Sequence, residues 1–320
     1  MMASCPICCS GEFETLFKAK DPHYGIAGEY RILRCRGCGL RFVHPMCSDE
    51  DSARLYPQDY YAYQDARPSP KWRVIFKGIL GYRLSSKDPK FDSPGRMLDV
   101  GCGSGEFVAS MKAQGWDAQG IEISSSASQA GRIKGLQIAC GSLGDEKYPS
   151  ESFDYVRASH SLEHMSNPDT VLEELHRILK PKGKLLIAVP NCDSWNAKIF
   201  KQYWWHLCPP LHAFGYSVET LSHILVRHRF HVEQVAYNSD YLGILGSAQI
   251  WRNRKNGKRS SEGWLFTNRL LRVLCGWVSR LEDAMHRGDM IEVIATKCGR
   301  NATSGEPVPQ GSVPARAKVA

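Results

Sequence analysis

The sequence predicts a doubly wound α/β fold organised around a parallel sheet, and three observations carry this prediction. Across residues 96–237, short apolar runs alternate with segments of helical periodicity, which is the pattern of successive β–α–β units. The apolar run Met97–Val100 leads directly into a glycine-rich turn. The next apolar run closes on Glu122, 23 positions after Asp99, which matches the spacing of one β–α–β unit.

The glycine-rich turn contains Gly101, Gly103 and Gly105. Glycine tolerates positive φ and lets the backbone approach a ligand closely, but such turns also serve plain strand-to-helix connections. The turn lacks the Lys-Ser/Thr pair of a phosphate-binding loop, which argues against nucleoside triphosphates. Glu106 stands where a NAD-binding fingerprint has its third glycine. The two acids named above favour a cationic or polyhydroxylated ligand.

The remaining elements follow in chain order from apolar periodicity and from capping residues. Asn167, followed by Pro168, and Ser217 are predicted to begin helices, and the run Lys180–Gly183 is predicted to end one. The predicted elements are helix 105–114, strand 116–121, helix 125–134, strand 137–140, strand 153–158, helix 168–179, strand 184–190, helix 218–228, strand 231–237 and strand 290–297.

The acid and the three glycines resemble the first motif of the class I S-adenosylmethionine-dependent methyltransferases, acid-x-G-x-G-x-G, and Glu122 matches their ribose acid. The likeness covers residues 96–297. It implies S-adenosylmethionine as cofactor and a seven-stranded, mostly parallel, Rossmann-like sheet, with the last strand antiparallel between the fifth and sixth. The implied cofactor-binding residues are Asp99, Gly101, Gly103 and Gly105 at the methionine and ribose end, Glu122 at the ribose hydroxyls, and Ser142 and Leu143 beside the adenine.

Two further features narrow the resemblance. An N-terminal pair of cysteine knuckles and the segment Trp204–His212 make the chain similar to bacterial small-molecule methyltransferases related to the ubiquinone-biosynthesis O-methyltransferases. Many of these carry a zinc ribbon and serve glycan or secondary-metabolite pathways. The likeness implies methyl transfer to a small-molecule, saccharide or lipid-linked acceptor, at oxygen.

The fourth predicted strand leads to the sequence H-S-L-E-H, which supplies candidate catalytic residues. The related O-methyltransferases have Glu-x-x-Glu-His, a magnesium site, at this place. Here His160 replaces the first glutamate, and magnesium prefers oxygen ligands. His160, Glu163 and His164 therefore hold a softer ion, supply a general base, or form a hydrogen-bonded helix start. His206 and His212 are the competing candidates, with buried core histidines as the alternative for each.

The knuckles Cys5-Pro-Ile-Cys8 and Cys35-Arg-Gly-Cys38 are separated by 26 residues. Each C-x-x-C pair can place two thiolates on a tetrahedral metal, so Cys5, Cys8, Cys35 and Cys38 are predicted to bind one structural zinc ion. The alternative is a set of free or redox-active thiols. Charges between the knuckles are mixed, which indicates a structural ribbon rather than a nucleic-acid-binding one.

The chain of 320 residues is long enough for one large core and a small accessory module. We predict a zinc-ribbon arm over residues 1–48, a linker and covering helix over 49–94, a methyltransferase domain over 95–298 with an insertion at 239–288, and a disordered tail over 299–320. The linker holds a tyrosine-rich segment, 49–63, that is either a lid or a packed connection, and an amphipathic helix, 71–84, expected to cover the nucleotide site.

The formal net charge of +8 is concentrated in the insertion, where residues 251–287 contain nine Lys or Arg against three acids. Within it, Trp264–Leu281 has apolar residues at three- and four-residue spacing, which predicts an amphipathic helix. That helix either packs on the core of the protein or docks, with the basic run Arg252–Arg259, on an anionic membrane surface.

The expected location is cytoplasmic, with peripheral contact at the inner face of the membrane, because residues 1–9 do not resemble a secretory signal and no apolar run reaches the roughly 18 residues of a spanning helix. The alternative functions are a nucleic-acid-modifying or nucleic-acid-binding protein that uses the ribbon, which the charge distribution disfavours, and a cofactor-binding fold without catalysis.

Overall fold

The computed structural model describes residues 4–47, 88–256, 258–260 and 262–298. The tyrosine-rich segment 49–63, the predicted helix 71–84 and the predicted disordered tail 299–320 lie outside the described residues. The strands are β1 Phe13–Ala19, β2 Tyr30–Cys35, β3 Arg41–His44, β4 Arg96–Val100, β5 Asp117–Glu122, β6 Ile138–Cys140, β7 Phe153–Ser159, β8 Leu179–Pro190, β9 Phe214–Gly215, β10 Phe230–Tyr237 and β11 Met290–Lys297. The α-helices are α1 Glu106–Ala113, α2 Ser125–Ile133, α3 Pro168–Ile178, α4 Trp195–Phe200, α5 Val218–Arg227, α6 Ser247–Asn253, α7 Trp264–Thr267 and α8 Arg269–Ala284.

A seven-stranded sheet in the order β10-β11-β8-β7-β4-β5-β6 forms the centre of the molecule. Strands β4 to β8 pair in parallel, whereas β11 pairs antiparallel with both β8 and β10. The predicted fold and the predicted place of the last strand are therefore confirmed. The apolar runs Leu185–Val189 and Ile291–Ala295 are buried, which fits central strands covered on both faces.

The predicted helix starts are also observed. The Asn167 side chain accepts a hydrogen bond from the Thr170 N–H, and Ser217 forms a reciprocal capping box with Thr220. The largest difference in bounds concerns β8, which begins at Leu179 rather than residue 184. Residues 180–183 bulge opposite Asp154, because Phe153 pairs with Leu179 and Tyr155 pairs with Lys184.

The N-terminal arm is a three-stranded antiparallel sheet, β1-β2-β3, that is extended by the two-residue strand β9. Strand β9 belongs to the segment after β8, so arm and central domain share this sheet. Leu40 and Phe42 of the arm lie in the same buried cluster as Leu221 and Ile224 of α5. The arm is therefore packed against the domain through a common core.

The insertion between β10 and β11 contains a π-helical turn, Leu242–Gly246, followed by α6, α7 and α8. The predicted helix over 264–281 is divided at Asn268, whose side chain caps α8 by accepting from the Leu271 N–H. None of the helices within the described part of the chain is both long and apolar enough to cross a bilayer.

A buried polar network fastens the insertion to the edge of the sheet. Asp289, fully buried before β11, accepts hydrogen bonds from the Ser194 hydroxyl at 2.7 Å and from the Trp204 and Asn196 side chains at 2.8 Å each. The Asn196 amide also donates to Glu282 of α8 at 2.9 Å. Burial raises the pKa of Glu282 to about 7, and the nearby Asp289 acts in the same direction.

Candidate active site

The glycine loop connects β4 to α1 at the carboxyl edge of the sheet, where ligands of open α/β folds bind. Gly101 and Gly105 have φ of 73° and 82°, in the left-handed region. A Cβ on Gly101 would lie 2.6 Å from the Ser161 Cβ, and one on Gly105 would lie 2.6 Å from the Ile138 Cδ1. Backbone conformation and close packing therefore both require glycine, and the loop touches the segment that follows β7.

Glu122 ends β5 and holds the glycine loop. One carboxylate oxygen accepts from the Gly103 N–H and the other from the Ser124 N–H, both at 2.9 Å. Burial raises the pKa of Glu122, and these two backbone donors oppose the rise. Because each carboxylate oxygen has two acceptor sites, the fixed carboxylate keeps acceptor capacity for ribose hydroxyls.

Asp99 is only 2% exposed, and its carboxylate accepts from the Arg157 guanidinium at 3.0 Å. That guanidinium also lies over the Phe107 ring at 4.1 Å. Burial raises the pKa of Asp99, and Arg157 counteracts this. Asp99 thus ties β4 to β7 beneath the loop. Sequence analysis missed Arg157, although a basic residue inside the apolar run of β7 was a usable signal.

Ser142 and Leu143 follow β6, where the adenine was expected. Leu143 is buried, and the Ser142 N–H and hydroxyl both donate to one oxygen of Asp145, at 2.8 and 2.7 Å. These bonds lower the pKa of Asp145. These contacts hold the exposed Asp145 carboxylate next to Ser142, a partner that sequence analysis did not predict.

The segment after β7 turns sharply at His160, a non-glycine residue with φ of 56°. Its N–H donates to the Ala188 carbonyl at 2.8 Å, and its Nδ1 lies 3.6 Å from the Glu163 Oε1. Glu163 is 1% exposed, and within the described ranges neither of its carboxylate oxygens accepts a hydrogen bond. Burial raises the pKa of Glu163 to about 7.

His164 and His212 meet edge to face, with ring centroids 4.6 Å apart. The His164 Nδ1 donates to the Leu211 carbonyl at 3.0 Å, and the His212 Nδ1 donates to the His206 carbonyl at 2.8 Å. The lone pair of each neutral ring is therefore on Nε2. Burial lowers the pKa of both histidines, which keeps both rings neutral at physiological pH.

Glu163, His164 and His212 each offer one ligand atom, and these atoms lie within 4.8 Å of one another. One carboxylate and two imidazoles do not fit magnesium, which takes oxygen ligands, but they suit a softer ion. The structure thus joins His212 to the predicted pair, while His160 adjoins Glu163 from the side. His206 contributes its carbonyl to this arrangement, and its ring packs on Trp204.

The four knuckle cysteines converge, with all sulfur atoms within 4.8 Å of one another. The Sγ atoms of Cys5 and Cys38 are 3.6 Å apart, and those of Cys8 and Cys35 are 3.4 Å apart. A Zn–S bond of about 2.3 Å implies a tetrahedral edge of about 3.8 Å, so the set fits zinc. A hydrogen bond from Cys38 lowers the pKa of Cys5 to about 5, which favours thiolate.

Comparison with known proteins gives a match to a methyltransferase domain family over residues 78–235. An uncharacterised protein of Methanocaldococcus jannaschii is 28% identical over 45% of this chain and 66% of its own length. A ubiquinone biosynthesis O-methyltransferase of Alkalilimnicola ehrlichii is 32% identical over 30% of this chain and 42% of its own length. The chain thus spans between 42% and 66% of the lengths of these curated relatives.

Among solved structures, an S-adenosylmethionine-dependent methyltransferase from Archaeoglobus fulgidus is 22% identical, with a TM-score of 0.46 over 65% of this chain and 88% of that one. The family match includes the glycine loop, Glu122 and the segment His160–His164. The match of residues 78–235 to the methyltransferase domain family and the observed order of the seven strands support a class I S-adenosylmethionine-dependent methyltransferase.

Proposed function

We propose that this protein transfers the methyl group of S-adenosylmethionine to a hydroxyl oxygen of a small-molecule, saccharide or lipid-linked acceptor. The observation that carries the proposal is the contact between the glycine loop and the segment that starts at His160. Because a Cβ on Gly101 would lie 2.6 Å from Ser161, nothing separates the cofactor loop from the cluster of ionisable groups. A sulfonium methyl held by the loop would then lie close to that cluster.

The cofactor is assigned to the carboxyl edge of β4, β5 and β6. The Glu122 carboxylate accepts the ribose hydroxyls, the glycine backbone lies along the methionine part, and Leu143 with the Ser142–Asp145 pair borders the adenine. We assign Asp99 an indirect role, because its carboxylate is bonded to Arg157 of β7 beneath the loop. Of the two buried acids near the loop, Glu122 is thus assigned to the cofactor and Asp99 to the support of the loop.

The reaction is an in-line displacement. The acceptor oxygen forms a bond to the methyl carbon, the bond from that carbon to sulfur breaks, and sulfur keeps the electron pair as S-adenosylhomocysteine. The hydroxyl proton must leave with a base, which we assign to the His160 imidazole. At 24% exposure, this side chain lies beside the Glu163 carboxylate, and that carboxylate stabilises the imidazolium formed.

The half-buried pair His164 and His212 fixes this segment through its two hydrogen bonds to backbone carbonyls. The magnesium ion of the related O-methyltransferases does not fit this donor set, so no step of the proposed reaction passes through it. We also assign one structural zinc ion to Cys5, Cys8, Cys35 and Cys38.

Transfer to oxygen is supported by the curated relatives named as ubiquinone biosynthesis O-methyltransferases. The competing nucleic-acid reading has less support. In the arm, Lys18 pairs with Glu29 at 2.8 Å and Arg34 with Glu14 at 2.7 Å, which reduces the positive charge that a phosphate backbone would contact.

The test is incubation of the purified protein with methyl-labelled S-adenosylmethionine and fractionated cell extract. We expect label in a hydroxyl-bearing metabolite, saccharide or lipid fraction, and less label with the Glu122→Ala variant when the cofactor concentration is limiting. Label in RNA would favour the nucleic-acid alternative. Cofactor binding by calorimetry without transfer to any fraction would indicate a binding fold, and absence of cofactor binding by the wild-type protein would overturn the whole proposal.

A further inference from the structure

Helix α8 is packed with its apolar side outward. A row of apolar side chains at helical spacing is exposed along it, from 47% at Val278 to 67% at Leu270. The members of the row are Leu270, Leu274, Trp277, Val278, Leu281 and Met285, which we call the α8 apolar row. The buried side of the helix consists instead of Gly276, Ser279 and Glu282. This is the reverse of a helix that covers a core with its apolar stripe.

Hydrogen bonds to the body of the protein fix this orientation. The Ser279 hydroxyl donates to the Asp240 carbonyl at 2.8 Å, and Glu282 accepts from Asn196 at 2.9 Å. Asp283 accepts from the Ser239 hydroxyl at 2.6 Å and from its N–H at 2.9 Å. Rolling the helix to bury the apolar row would leave these polar groups without partners, at a cost of several hydrogen bonds.

The same contacts determine which charges face outward. Of the three acids in residues 251–287, Glu282 is buried and Asp283 is held by Ser239, which leaves Glu262 exposed. The basic residues Arg252, Arg254, Lys255, Lys258 and Arg259 are exposed. The outward surface of the insertion is thus more basic than its composition indicates.

Exposed tryptophans accompany these cations. The Arg254 guanidinium lies 4.0 Å from the centre of the Trp251 ring, and that of Arg280 lies 5.1 Å from the centre of the Trp277 ring. Each tryptophan ring is about half exposed. Rings with an apolar body and a polar edge, next to cations, are typical of the boundary between lipid headgroups and acyl chains.

A basic cleft of about 430 Å³ lies between the arm and the insertion. Lys20 lines it from the arm, next to the Lys18–Glu29 ion pair, and Arg254, Lys258 and Arg259 line it from the insertion. The carboxylate of Asp21, which also borders the cleft, is occupied by the N–H groups of His23, Tyr24 and Ile26. The cleft has room and charge for an anionic headgroup.

We propose that the insertion docks on an anionic membrane surface. The α8 apolar row, about 24 Å long, lies in the headgroup–acyl boundary, and the basic run from Arg252 to Arg259 contacts anionic headgroups. A nucleic acid would not use six exposed apolar side chains. A second copy would carry the same surplus of positive charge on this surface, whereas an anionic lipid surface complements it. The inference concerns binding alone and does not depend on methyl transfer.

Vesicle flotation of the full chain tests the proposal, with phosphatidylcholine vesicles that either contain or lack phosphatidylglycerol. We expect flotation only with the anionic lipid, and a decrease with added salt. The triple variant Lys255→Glu, Lys258→Glu, Arg259→Glu should lower the vesicle partition coefficient by more than about a hundredfold. The apolar variant Leu274→Ser, Trp277→Ser, Leu281→Ser should abolish flotation as well.

Ile133→Ser is the matched control, because Ile133 is an 80% exposed apolar residue on α2, away from the insertion, and its loss should leave flotation unchanged. Melting temperature and cofactor binding establish that each variant is folded. Equal recovery with and without anionic lipid at low salt would overturn the proposal. A dimer of the wild-type protein in light scattering that the apolar variant makes monomeric, without vesicle binding, would assign the α8 apolar row to a second copy instead.

Discussion

The backbone N–H of Val43 donates a hydrogen bond to the carbonyl oxygen of Ala213 at 3.0 Å. Val43 belongs to β3 of the cysteine arm, and Ala213 directly follows His212 of the histidine pair. Strand β3 continues this contact through the pairing of Phe42 with Phe214. The arm therefore fixes the backbone next to His212. Through β3, the fold of the arm that carries the two cysteine knuckles is connected to the candidate active site.

From this contact we predict that loss of zinc lowers turnover more than cofactor affinity. Cys35→Ser should remove the metal, loosen β2 and β3 and release the backbone around Ala213, while the glycine loop keeps its own contacts. Metal analysis, calorimetry with S-adenosylhomocysteine and turnover measure the three effects. Cys9→Ser is the control, since Cys9 is exposed and lies outside the tetrad. Zinc-free wild-type protein with full turnover would contradict the prediction.

Glu122→Ala should weaken binding of S-adenosylmethionine by about 1–3 kcal/mol, because the variant loses acceptors for the ribose and releases the Gly103 N–H. Titration calorimetry measures the change. Glu106→Gln, an exposed acid at the start of α1, should bind as the wild type does. Equal affinity of the two variants would remove Glu122 from the cofactor site.

His160→Ala should lower turnover with the true acceptor by about two to four orders of magnitude and leave cofactor affinity unchanged, as expected for a base that acts only on the acceptor proton. His223→Ala, an exposed histidine on α5, serves as the control. Normal turnover of His160→Ala would transfer the assignment to His164 or His212.

Glu282 gives a stability prediction with a definite sign. Burial raises its pKa from 4.5 in the unfolded chain to about 7 in the folded protein, so the folded state binds the extra proton between these values. The free energy of unfolding should therefore fall as pH rises from 4.5 to 7, by at most roughly 1.4 kcal/mol per pH unit from this group. In Glu282→Gln this dependence should be smaller, whereas the exposed Glu262→Gln should retain it. Urea unfolding at several pH values provides the measurement.

The sequence was sufficient for the parts of the fold that local pattern determines. The strand Met290–Lys297 was predicted over the residues that form it, because an apolar run bounded by Asp289 and Cys298 leaves little choice of ends. The caps at Asn167 and Ser217 were predictable for the same reason: each side chain bonds to a backbone group only three residues away.

The rest depended on contacts between distant segments. His164 and His212 are 48 positions apart, and their contact accompanies two long-range interactions: His164 bonds to the Leu211 carbonyl, and β9 pairs with β3. Strand β9 has two residues, too few to show any periodicity. The same limit applies to α8. Its pattern predicted amphipathicity, but the choice of inward face depends on Asn196 and Asp240, which belong to other elements.

The network around Asp289 determines how the insertion can be moved between related proteins. A chimera that exchanged residues 239–288 alone would leave the Asn196 amide without Glu282. An exchange that began after Ser239 would separate the new insertion from this serine, whose hydroxyl accepts from the Asp289 N–H at 2.7 Å. The transferable unit is therefore the insertion together with α4 and the turn that precedes β11. A transplant with those borders would carry the hydrogen-bonding groups around Asp289 with it. The recipient protein would then need to supply only the strands of the sheet.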